Sequence, residues 1–344
     1  MNPANDKPIK YLAYAAVVAS VLALLAVPFF LREEKESVVY EKFLMGTLVE
    51  ITIMEGEEER FDGAAQAAFA EIARLEEVFS SYKPESEVSM VSKNAGGGPV
   101  EVSAEVLYVV EEALRVSRLS GGAFDPTIGA LSGVWGFSGE RGYVPESSEV
   151  EALLPLVDFR EVMVDKSAKT VGLNKKGMTL NLGGIAKGYI VGSAAKVLED
   201  SGVERGIIKA GGDMFVFQSG VERRQRPFVI GIKHPRQEGG LLGEVYVKRG
   251  AVATSGDYER FFVEAGVRYH HILDPGTGFP ARATRSVTVI TEDPTLADAL
   301  STAVFVMGPE KGLALIEAIE GAEAVVVDSE GRVHASRGFD GKVF

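Results

Sequence analysis

The sequence predicts a mixed fold of strands and helices that follows one membrane-spanning helix. Residues 47–54 alternate apolar and polar side chains, the pattern of a half-buried strand, whereas residues 64–79 repeat apolar side chains at helical spacing. Residues 11–31 carry no charge, and as a helix they would reach roughly 31 Å, about one hydrocarbon thickness. The predicted organisation is a short cytoplasmic N-terminus (1–10), an anchor (11–31), a charged linker (32–40) and one folded domain (41–344).

The anchor also predicts a location. Lys7 and Lys10 precede the apolar run, and the positive-inside tendency then holds the N-terminus in the cytoplasm. We therefore expect a single-pass protein of the cell membrane whose folded domain lies on the extracytoplasmic side. A cleaved signal peptide is the competing interpretation. The apolar run is longer than a usual signal-peptide core and shows no convincing small-x-small cleavage site, which favours the uncleaved anchor.

Composition excludes several classes of function. With 344 residues and 46% hydrophobic content, the chain is long enough to bury a large core. Its 49 acidic and 36 basic residues give a net charge of -13, which repels nucleic acid at long range. The chain has no cysteine, so disulfides, thiolate catalysis, sulfur-ligated metals and lipoprotein-type attachment are excluded.

The remaining elements follow from caps and short apolar runs. Ser103 is placed to cap a helix that continues to residue 117, with Glu105 in the first turn, where the helix dipole favours an acid. Strands are predicted at 161–164, 206–209, 228–232, 244–248 and 285–291, and further helices at 185–199, 295–307 and 309–319.

The first candidate for chemistry is the glycine-rich segment 181–188. It follows a strand and opens a helix, so its backbone N–H groups and the helix dipole suit phosphate oxygens, and Lys187 adds positive charge. It is not a Walker A loop, because Lys187 is followed by Gly188 where that motif has Ser or Thr. A plain strand-to-helix turn explains the glycines equally well.

A second candidate lies inside a predicted helix. Asp298, Ser301 and Thr302 stand at positions i, i+3 and i+4, so one carboxylate and two hydroxyls project from one face. Such oxygen ligands suit a hard cation such as Mg²⁺. The alternative is an acid that stabilises the helix dipole beside hydroxyls bonded back to the helix, and the pattern alone favours it.

A third candidate is the histidine pair of the segment 268–280. His270 and His271 alternate across a predicted strand, so only one of them can face a given cleft. A histidine in a strand is more often structural than catalytic, although half of the four histidines lie here. Upstream, Asp125 can either bind a sugar or base or fix its own Asp-Pro turn.

Together these segments resemble the FAD:protein FMN transferase family, the ApbE-like proteins. The resemblance covers nearly everything after the anchor, in a fixed order of short motifs. These are Met45-Gly46-Thr47, Ser80-Ser81-Tyr82, 122–127, Trp135-Gly136-Phe137, 183–188, Gly211-Gly212-Asp213, Thr254-Ser255-Gly256, 271–278 and 298–302.

The resemblance implies an α+β fold, with mixed sheets packed with helices around an FAD-binding cleft. It places a Mg²⁺ ion at the FAD pyrophosphate, held by Asp298, Thr302 and the Ala186 carbonyl. The positions that match FAD contacts are Met45, Tyr82, Ala123, Phe124, Asp125, Lys187 and His271. The chain departs from the family pattern at Gly192, where Asp is frequent, and at Lys209, where a small polar residue is commoner.

The resemblance further implies transfer of FMN from FAD to a Thr or Ser hydroxyl of a target protein, with release of AMP. His271 is our candidate for the base that accepts the hydroxyl proton, with Asp257 and Asp274 as substitutes. The implied acceptors are respiratory-complex subunits or other secreted redox proteins. Two rival functions stay open: an FAD pyrophosphatase that gives FMN and AMP, and a non-catalytic, membrane-anchored FAD-binding module.

Overall fold

The computed structural model describes residues 37–54, 58–137, 142–219 and 226–344. The predicted cytoplasmic N-terminus and anchor, with Lys7 and Lys10, lie outside the described residues. Within the described ranges, none of the helices combines the length and the apolar character needed to cross a membrane. Strand β1 begins at Val38, so the last three residues of the predicted linker belong to the folded domain. Val38, Val39 and Tyr40 are residue types that favour strands, which explains the earlier start.

The centre of the fold is an eight-stranded sheet in which all neighbouring strands are antiparallel. Its strand order is β1-β2-β6-β7-β10-β13-β14-β15, so the chain leaves the sheet and returns to it several times. The strands are β1 (Val38–Leu44), β2 (Thr47–Ile53), β6 (Arg205–Ala210), β7 (Asp213–Gln218), β10 (Gly250–Gly256), β13 (Thr284–Thr291), β14 (Glu323–Asp328) and β15 (Val333–Ala335).

The described parts of the chain also contain three smaller sheets. They are β3 (Val100–Glu101) with β5 (Thr170–Leu173) and β4 (Val162–Asp165); β16 (Gly341–Val343) with β9 (Leu241–Val247) and β8 (Phe228–Lys233); and the hairpin of β11 (Phe261–Glu264) with β12 (Val267–His270).

The described part of the chain forms eight α-helices, and several of them pack on the main sheet. They are α1 (Glu58–Phe79), α2 (Glu87–Lys93), α3 (Ala104–Leu119), α4 (Gly129–Ser132), α5 (Ser147–Leu153), α6 (Ala186–Asp200), α7 (Pro294–Met307) and α8 (Pro309–Glu317), with short 3-10 turns at Leu154–Leu156 and Phe159–Glu161. Helix α7 packs on β10 and β13 and beside α6, and α6 packs on β6 and β7. The two helices that carry the candidate site therefore lie side by side on the sheet.

The core follows from the two-residue period of the strands. On β6, Ile208 packs with the helices, whereas its neighbour Ile207 packs with the small β8–β9 sheet on the opposite face. Helix α7 is buried on nearly all sides, and its N-terminus is fixed by Asp293, whose carboxylate accepts hydrogen bonds from the backbone N–H groups of Thr295 and Leu296 at 2.8 and 3.3 Å. A carboxylate such as Asp298 inside so apolar a helix needs partners.

The predicted mixed fold of sheets and helices is confirmed, and several boundaries agree closely. The strand predicted at 47–54 is β2, and the helix predicted at 64–79 is the larger part of α1. Ser103 caps α3 as predicted, since its hydroxyl accepts a hydrogen bond from the Val106 N–H at 3.2 Å.

Candidate active site

Three segments that are distant in sequence meet at the start of α6. Lys187 lies in the first turn of α6, Asp213 begins β7, and Asp298 lies on α7. The Lys187 ammonium group donates hydrogen bonds to the Asp213 carboxylate and, at 3.2 Å, to Oδ1 of Asp298. Oδ2 of Asp298 accepts a hydrogen bond from the Gly188 N–H at 3.0 Å. Both carboxylates are almost fully buried.

The cluster carries more negative than positive charge. Burial, and then the charge of Asp298, raise the pKa of Asp213 to about 7 even though Lys187 acts to lower it. Burial alone would lower the pKa of Lys187, but the two carboxylates outweigh burial and hold it above its ordinary value. Two acids thus share one permanent cation, and a second cation would complement the site.

The glycine-rich loop lies directly over α7. Asn181 fixes the turn, since its side-chain oxygen accepts a hydrogen bond from the Gly183 N–H at 2.9 Å. A β-carbon at Gly184 would lie 3.1 Å from Oγ1 of Thr302 and 3.3 Å from the Phe124 ring. Glycine is therefore what lets the backbone approach the hydroxyl of Thr302 closely. The segment opens α6 as predicted, but the residues before it form only an isolated β-bridge at Thr179 where a strand was predicted.

Three hydroxyls lie beside the cluster. Ser301 donates a hydrogen bond to the carbonyl of Asp298 at 2.8 Å, so it is bonded back to its own helix. Ser255 lies 2.8 Å from the Ser301 hydroxyl and 3.4 Å from that of Thr302. Thr302 keeps a hydroxyl that faces the glycine-rich loop.

The predicted metal ligands fit a hard cation by chemistry and by charge. They are one carboxylate, one hydroxyl and one backbone carbonyl, from Asp298, Thr302 and Ala186, and all three are oxygen donors of the kind that Mg²⁺ prefers. Among the described residues, no group of three or more His, Asp or Glu side chains is arranged to hold a metal. The predicted metal ligands include only one side chain of these types, that of Asp298.

The two histidines have different surroundings, as predicted, although β12 ends at His270 and His271 lies directly after the strand. His270 is buried, its Nε2 donates to the Ala281 carbonyl at 2.8 Å, and its ring packs edge-on against Phe305. His271 is exposed to solvent, and its Nδ1 lies 3.3 Å from the Arg260 carbonyl.

The contacts of His271 define its protonation. Because a carbonyl oxygen only accepts, Nδ1 carries the hydrogen and Nε2 is free to accept a proton. Desolvation of the ring by neighbouring protein atoms is the largest cause that lowers the pKa of His271 below its ordinary value, and the Arg260 cation is the next. The charge of Lys187 acts in the same direction. The ring is consequently neutral at physiological pH.

The substitute bases are both engaged in structure. The Asp257 carboxylate accepts two hydrogen bonds from Arg236, at 2.7 and 2.6 Å. Asp274 accepts a hydrogen bond from the Gly276 N–H at 2.9 Å and so fixes the turn that follows. Neither carboxylate is as free to take a proton as Nε2 of His271.

Asp125 fixes its own turn, which is one of the two roles that the sequence left open. One carboxylate oxygen accepts from the N–H and the hydroxyl of Thr127, at 2.8 and 2.6 Å, and the other accepts from the Phe159 N–H at 2.9 Å. Burial raises the pKa of Asp125 while these hydrogen bonds lower it. The carboxylate is therefore held in place by the protein itself.

The other predicted FAD contacts lie at different depths. Phe124 is buried in the core, Ala123 is half-buried, and Tyr82 is 71% exposed. Met45 forms the turn between β1 and β2 with φ of 53°, and its N–H donates a hydrogen bond to Glu76 at 2.9 Å. Phe124 is the one of these four residues that the described contacts place against the glycine-rich loop.

The two departures from the family pattern lie outside the charged cluster. A β-carbon at Gly192 would lie 2.7 Å from the ring of Pro294, so the small residue lets α6 approach the start of α7. Lys209 pairs with Glu50, its cross-strand partner on β2.

Two contributors stand in the motifs of the resemblance with no role predicted for them. For Asp213, the usable signal is an acid directly after Gly211-Gly212 at the start of a strand. Trp135 is fully buried, and its Nε1 donates to the Gly278 carbonyl at 2.9 Å. It thereby supports the loop that follows His271.

The chain is similar to known proteins in sequence and in fold. The sequence model of the ApbE family matches residues 45–326. The FAD:protein FMN transferase of Treponema pallidum is 35% identical over 294 residues, 81% of each chain. The crystal structure of the ApbE protein from Thermotoga maritima superposes with a TM-score of 0.81 at 37% identity, covering 88% of this chain and 97% of that one. The flavin transferase ApbE from Vibrio cholerae gives a TM-score of 0.75 at 29% identity, covering 88% and 98%. This chain belongs to the ApbE family.

Proposed function

We propose that this protein is a Mg²⁺-dependent FAD:protein FMN transferase, which moves FMN from FAD to a Thr or Ser hydroxyl of a target protein and releases AMP. The observation that carries the proposal is the buried cluster of Lys187, Asp213 and Asp298 at the N-terminus of α6. FAD:protein FMN transferase is also the name of relatives 34–35% identical over more than four fifths of the chain.

The start of α6 is suited to the pyrophosphate of FAD. Backbone N–H groups at a helix N-terminus and the helix dipole favour phosphate oxygens, and the Lys187 ammonium group adds a full charge. Asp213 and Asp298 hold that ammonium group from two sides. The lysine is thereby positioned before substrate binds, which reduces the entropy lost on binding.

Asp298, Thr302 and the Ala186 carbonyl would hold Mg²⁺. The ion, when bound, would neutralise charge on the phosphate oxygens of FAD. The excess negative charge of the cluster supports a cation at this place, because Lys187 balances only one of two buried carboxylates.

His271 supplies the base in this proposal. Its neutral ring accepts the proton of the target hydroxyl on Nε2, since Nδ1 is turned towards the Arg260 carbonyl. The hydroxyl oxygen then forms a bond to the phosphorus on the riboflavin side. The bond between that phosphorus and the bridging oxygen breaks, and AMP leaves with the bridging oxygen.

The proposal extends to location and partners. An uncharged run at 11–31 behind Lys7 and Lys10 supports a membrane anchor with the domain on the outer side. An enzyme placed there would meet respiratory-complex subunits and secreted redox proteins, which we propose as its acceptors.

The test uses the full-length chain with FAD, Mg²⁺ and a peptide that carries a Thr flavinylation motif, beside a matched peptide in which that Thr is Val. AMP release together with flavin fluorescence on the Thr peptide alone is the expected result. AMP and free FMN with no labelled peptide would identify a pyrophosphatase instead. Bound FAD that stays unbroken would identify a binding module, and either result would overturn the proposal.

A further inference from the structure

A cavity of about 210 Å³ lies beside strand β12, which contributes Arg268 and His270 to its lining. Four arginines line it: Arg236, Arg268, Arg282 and Arg285. Among the described residues that line the cavity, Asp257 is the only acid. The cavity thus holds four permanent positive charges against one negative charge, in a protein whose net charge is -13.

The four arginines come from three parts of the chain, since Arg282 and Arg285 are three residues apart. Arg236 forms a two-pronged pair with Asp257, and Arg268 reaches the same carboxylate at 3.4 Å while its guanidinium packs over Phe261. These two arginines share the single acid. The local charge is therefore not balanced by the ion pairs that the described residues form.

Among the described residues, Arg282 and Arg285 donate hydrogen bonds only to backbone carbonyls, and the guanidinium of Arg282 also packs over the ring of Tyr269. Arg282 donates to the Arg268 carbonyl at 2.9 Å, and Arg285 donates twice to the Ser329 carbonyl, at 3.1 and 2.6 Å. A guanidinium has five N–H donors, so most of the donors of both residues remain for another acceptor. Carbonyls orient these arginines without neutralising them.

The cavity shares no lining residue with the cluster of Lys187, Asp213 and Asp298. His270, not His271, is the histidine that borders it. Since these two histidines face opposite ways, the cavity and the proposed catalytic site lie on different sides of the same short segment.

We propose that this cavity binds a phosphate group, as a site separate from the FAD site. A tetrahedral oxyanion presents acceptor oxygens in several directions and up to two negative charges, which matches a cavity lined by four arginines and one acid. A carboxylate presents two oxygens in one plane and would satisfy a single guanidinium. The bound group would connect the hairpin, through Arg268, with the start of β13, through Arg282 and Arg285.

The test measures phosphate binding to the full-length protein in nonionic detergent. Inorganic phosphate and glycerol phosphate are titrated by calorimetry, with sodium acetate at matched ionic strength as the carboxylate arm. The double variant Arg282→Gln/Arg285→Gln is compared with Arg115→Gln, which removes an arginine paired with Glu112 on the distant helix α3. A parallel titration contains saturating FAD in Mg²⁺-free buffer with a chelator.

We expect phosphate to bind wild type and Arg115→Gln alike, and the double variant to lose roughly tenfold or more in affinity, because charge-assisted hydrogen bonds are lost. If inorganic phosphate binds more tightly than glycerol phosphate, the natural ligand is a free phosphate ion. If glycerol phosphate binds more tightly, the natural ligand is a larger phosphorylated molecule. Both results support a phosphate site. Equal binding of acetate, displacement by FAD, or affinity unchanged in the double variant would overturn the proposal.

A second measurement does not depend on the variants folding. Crystals of the wild-type protein soaked in selenate or tungstate should show anomalous density between the guanidinium groups of Arg268 and Arg285. Density confined to other places would overturn the assignment.

Discussion

The backbone N–H of Gly188 donates a hydrogen bond to the carboxylate of Asp298 at 3.0 Å and so joins the first turn of α6 to α7. The bond spans 110 residues of sequence. It occupies one carboxylate oxygen of Asp298, and the other faces Lys187. The position of the candidate metal ligand is thus set by the glycine-rich loop.

Asp298→Asn tests the charge of this ligand. Asparagine keeps the shape and can still accept a hydrogen bond from Gly188, but it lacks the negative charge that a hard cation requires. We expect the Mg²⁺ concentration for half-maximal AMP release to rise by roughly tenfold or more. The control is Ser301→Ala, one turn further on, which removes a hydroxyl bonded back to its helix. An unchanged Mg²⁺ dependence would exclude Asp298 as a ligand.

Gly188→Ala tests the contact between the two helices. The added β-carbon would lie 2.0 Å from the Pro294 carbonyl oxygen and 3.0 Å from Cβ of Asp298, so α6 and α7 must move apart. We expect a loss of roughly 1–3 kcal/mol in unfolding free energy, together with lower activity. Thermal and denaturant unfolding of the full chain provide the measurement.

The matched control is Gly63→Ala on α1. No atom lies within 4 Å of its added β-carbon, so alanine should leave stability unchanged or raise it by up to about 1 kcal/mol, through the better helix propensity. Equal effects of the two substitutions would contradict the close packing of α6 on α7.

Asp213→Asn tests the electrostatics of the cluster through its pH dependence. Burial and the charge of Asp298 raise the pKa of Asp213 from 3.8 to about 7, so the folded chain holds this proton more tightly than the unfolded chain. The stability that Asp213 contributes is therefore present at acid pH and is lost as pH rises through about 7. Asparagine does not titrate.

Relative to Asp213→Asn, the melting temperature of wild type should consequently fall by roughly 2 °C or more between about pH 5 and about pH 8. Asp200→Asn, on the exposed end of α6, removes the same charge without touching the cluster and provides the control. If the melting temperature of wild type instead rises relative to that of Asp213→Asn as pH rises, the pKa shift of Asp213 has the opposite sign.

Local patterns predicted most of the elements, because each depends on neighbours in sequence. The 3.6-residue period predicted that Asp298 and Thr302 share one face of a helix, and both residues lie on α7. The two-residue period predicted different surroundings for His270 and His271, and their rings do have different partners, although β12 ends at His270. Ser103 caps its helix for the same local reason. The order of strands in the main sheet had no such signal, since it depends on pairing between distant segments.

The charged cluster shows why part of the site was not predictable from sequence. Lys187 is 26 residues from Asp213 and 111 residues from Asp298, so no local period relates them. The resemblance placed Lys187 and Asp298 near one ligand but did not indicate that the lysine binds both acids. That arrangement follows from the packing of α6 beside α7 and over β7.

A topology experiment tests the predicted anchor, which rests on Lys7, Lys10 and the uncharged run at 11–31. Protease added outside intact spheroplasts should digest or release the domain. Permeabilised spheroplasts, in which a cytoplasmic marker also becomes accessible, provide the control. Complete protection of the domain in intact spheroplasts would exclude the outward orientation and with it the proposed acceptors.

His271→Ala and His270→Ala should separate catalysis from structure. If Nε2 of His271 accepts the proton of the target hydroxyl, His271→Ala should lower the rate of transfer by roughly 10²- to 10⁴-fold, the usual contribution of a general base, while FAD binding changes much less. His270 is buried against Phe305 and donates to the Ala281 carbonyl, so His270→Ala should lower stability by roughly 1–3 kcal/mol and affect the chemical step far less.

The pH profile gives the sharper result, measured as single-turnover AMP release at saturating FAD, Mg²⁺ and acceptor peptide. The base acts only when His271 is neutral, and its surroundings lower the pKa of His271 below the ordinary 6.5. The wild-type rate should therefore stay high as pH falls to 6.5 and decline only at more acid pH. His271→Ala should lack this decline, whereas His270→Ala should retain it. If His271→Ala keeps a near-normal rate and the same decline at acid pH, another group takes the proton. Asp257 and Asp274, whose carboxylates already accept hydrogen bonds, would then have to be tested in turn.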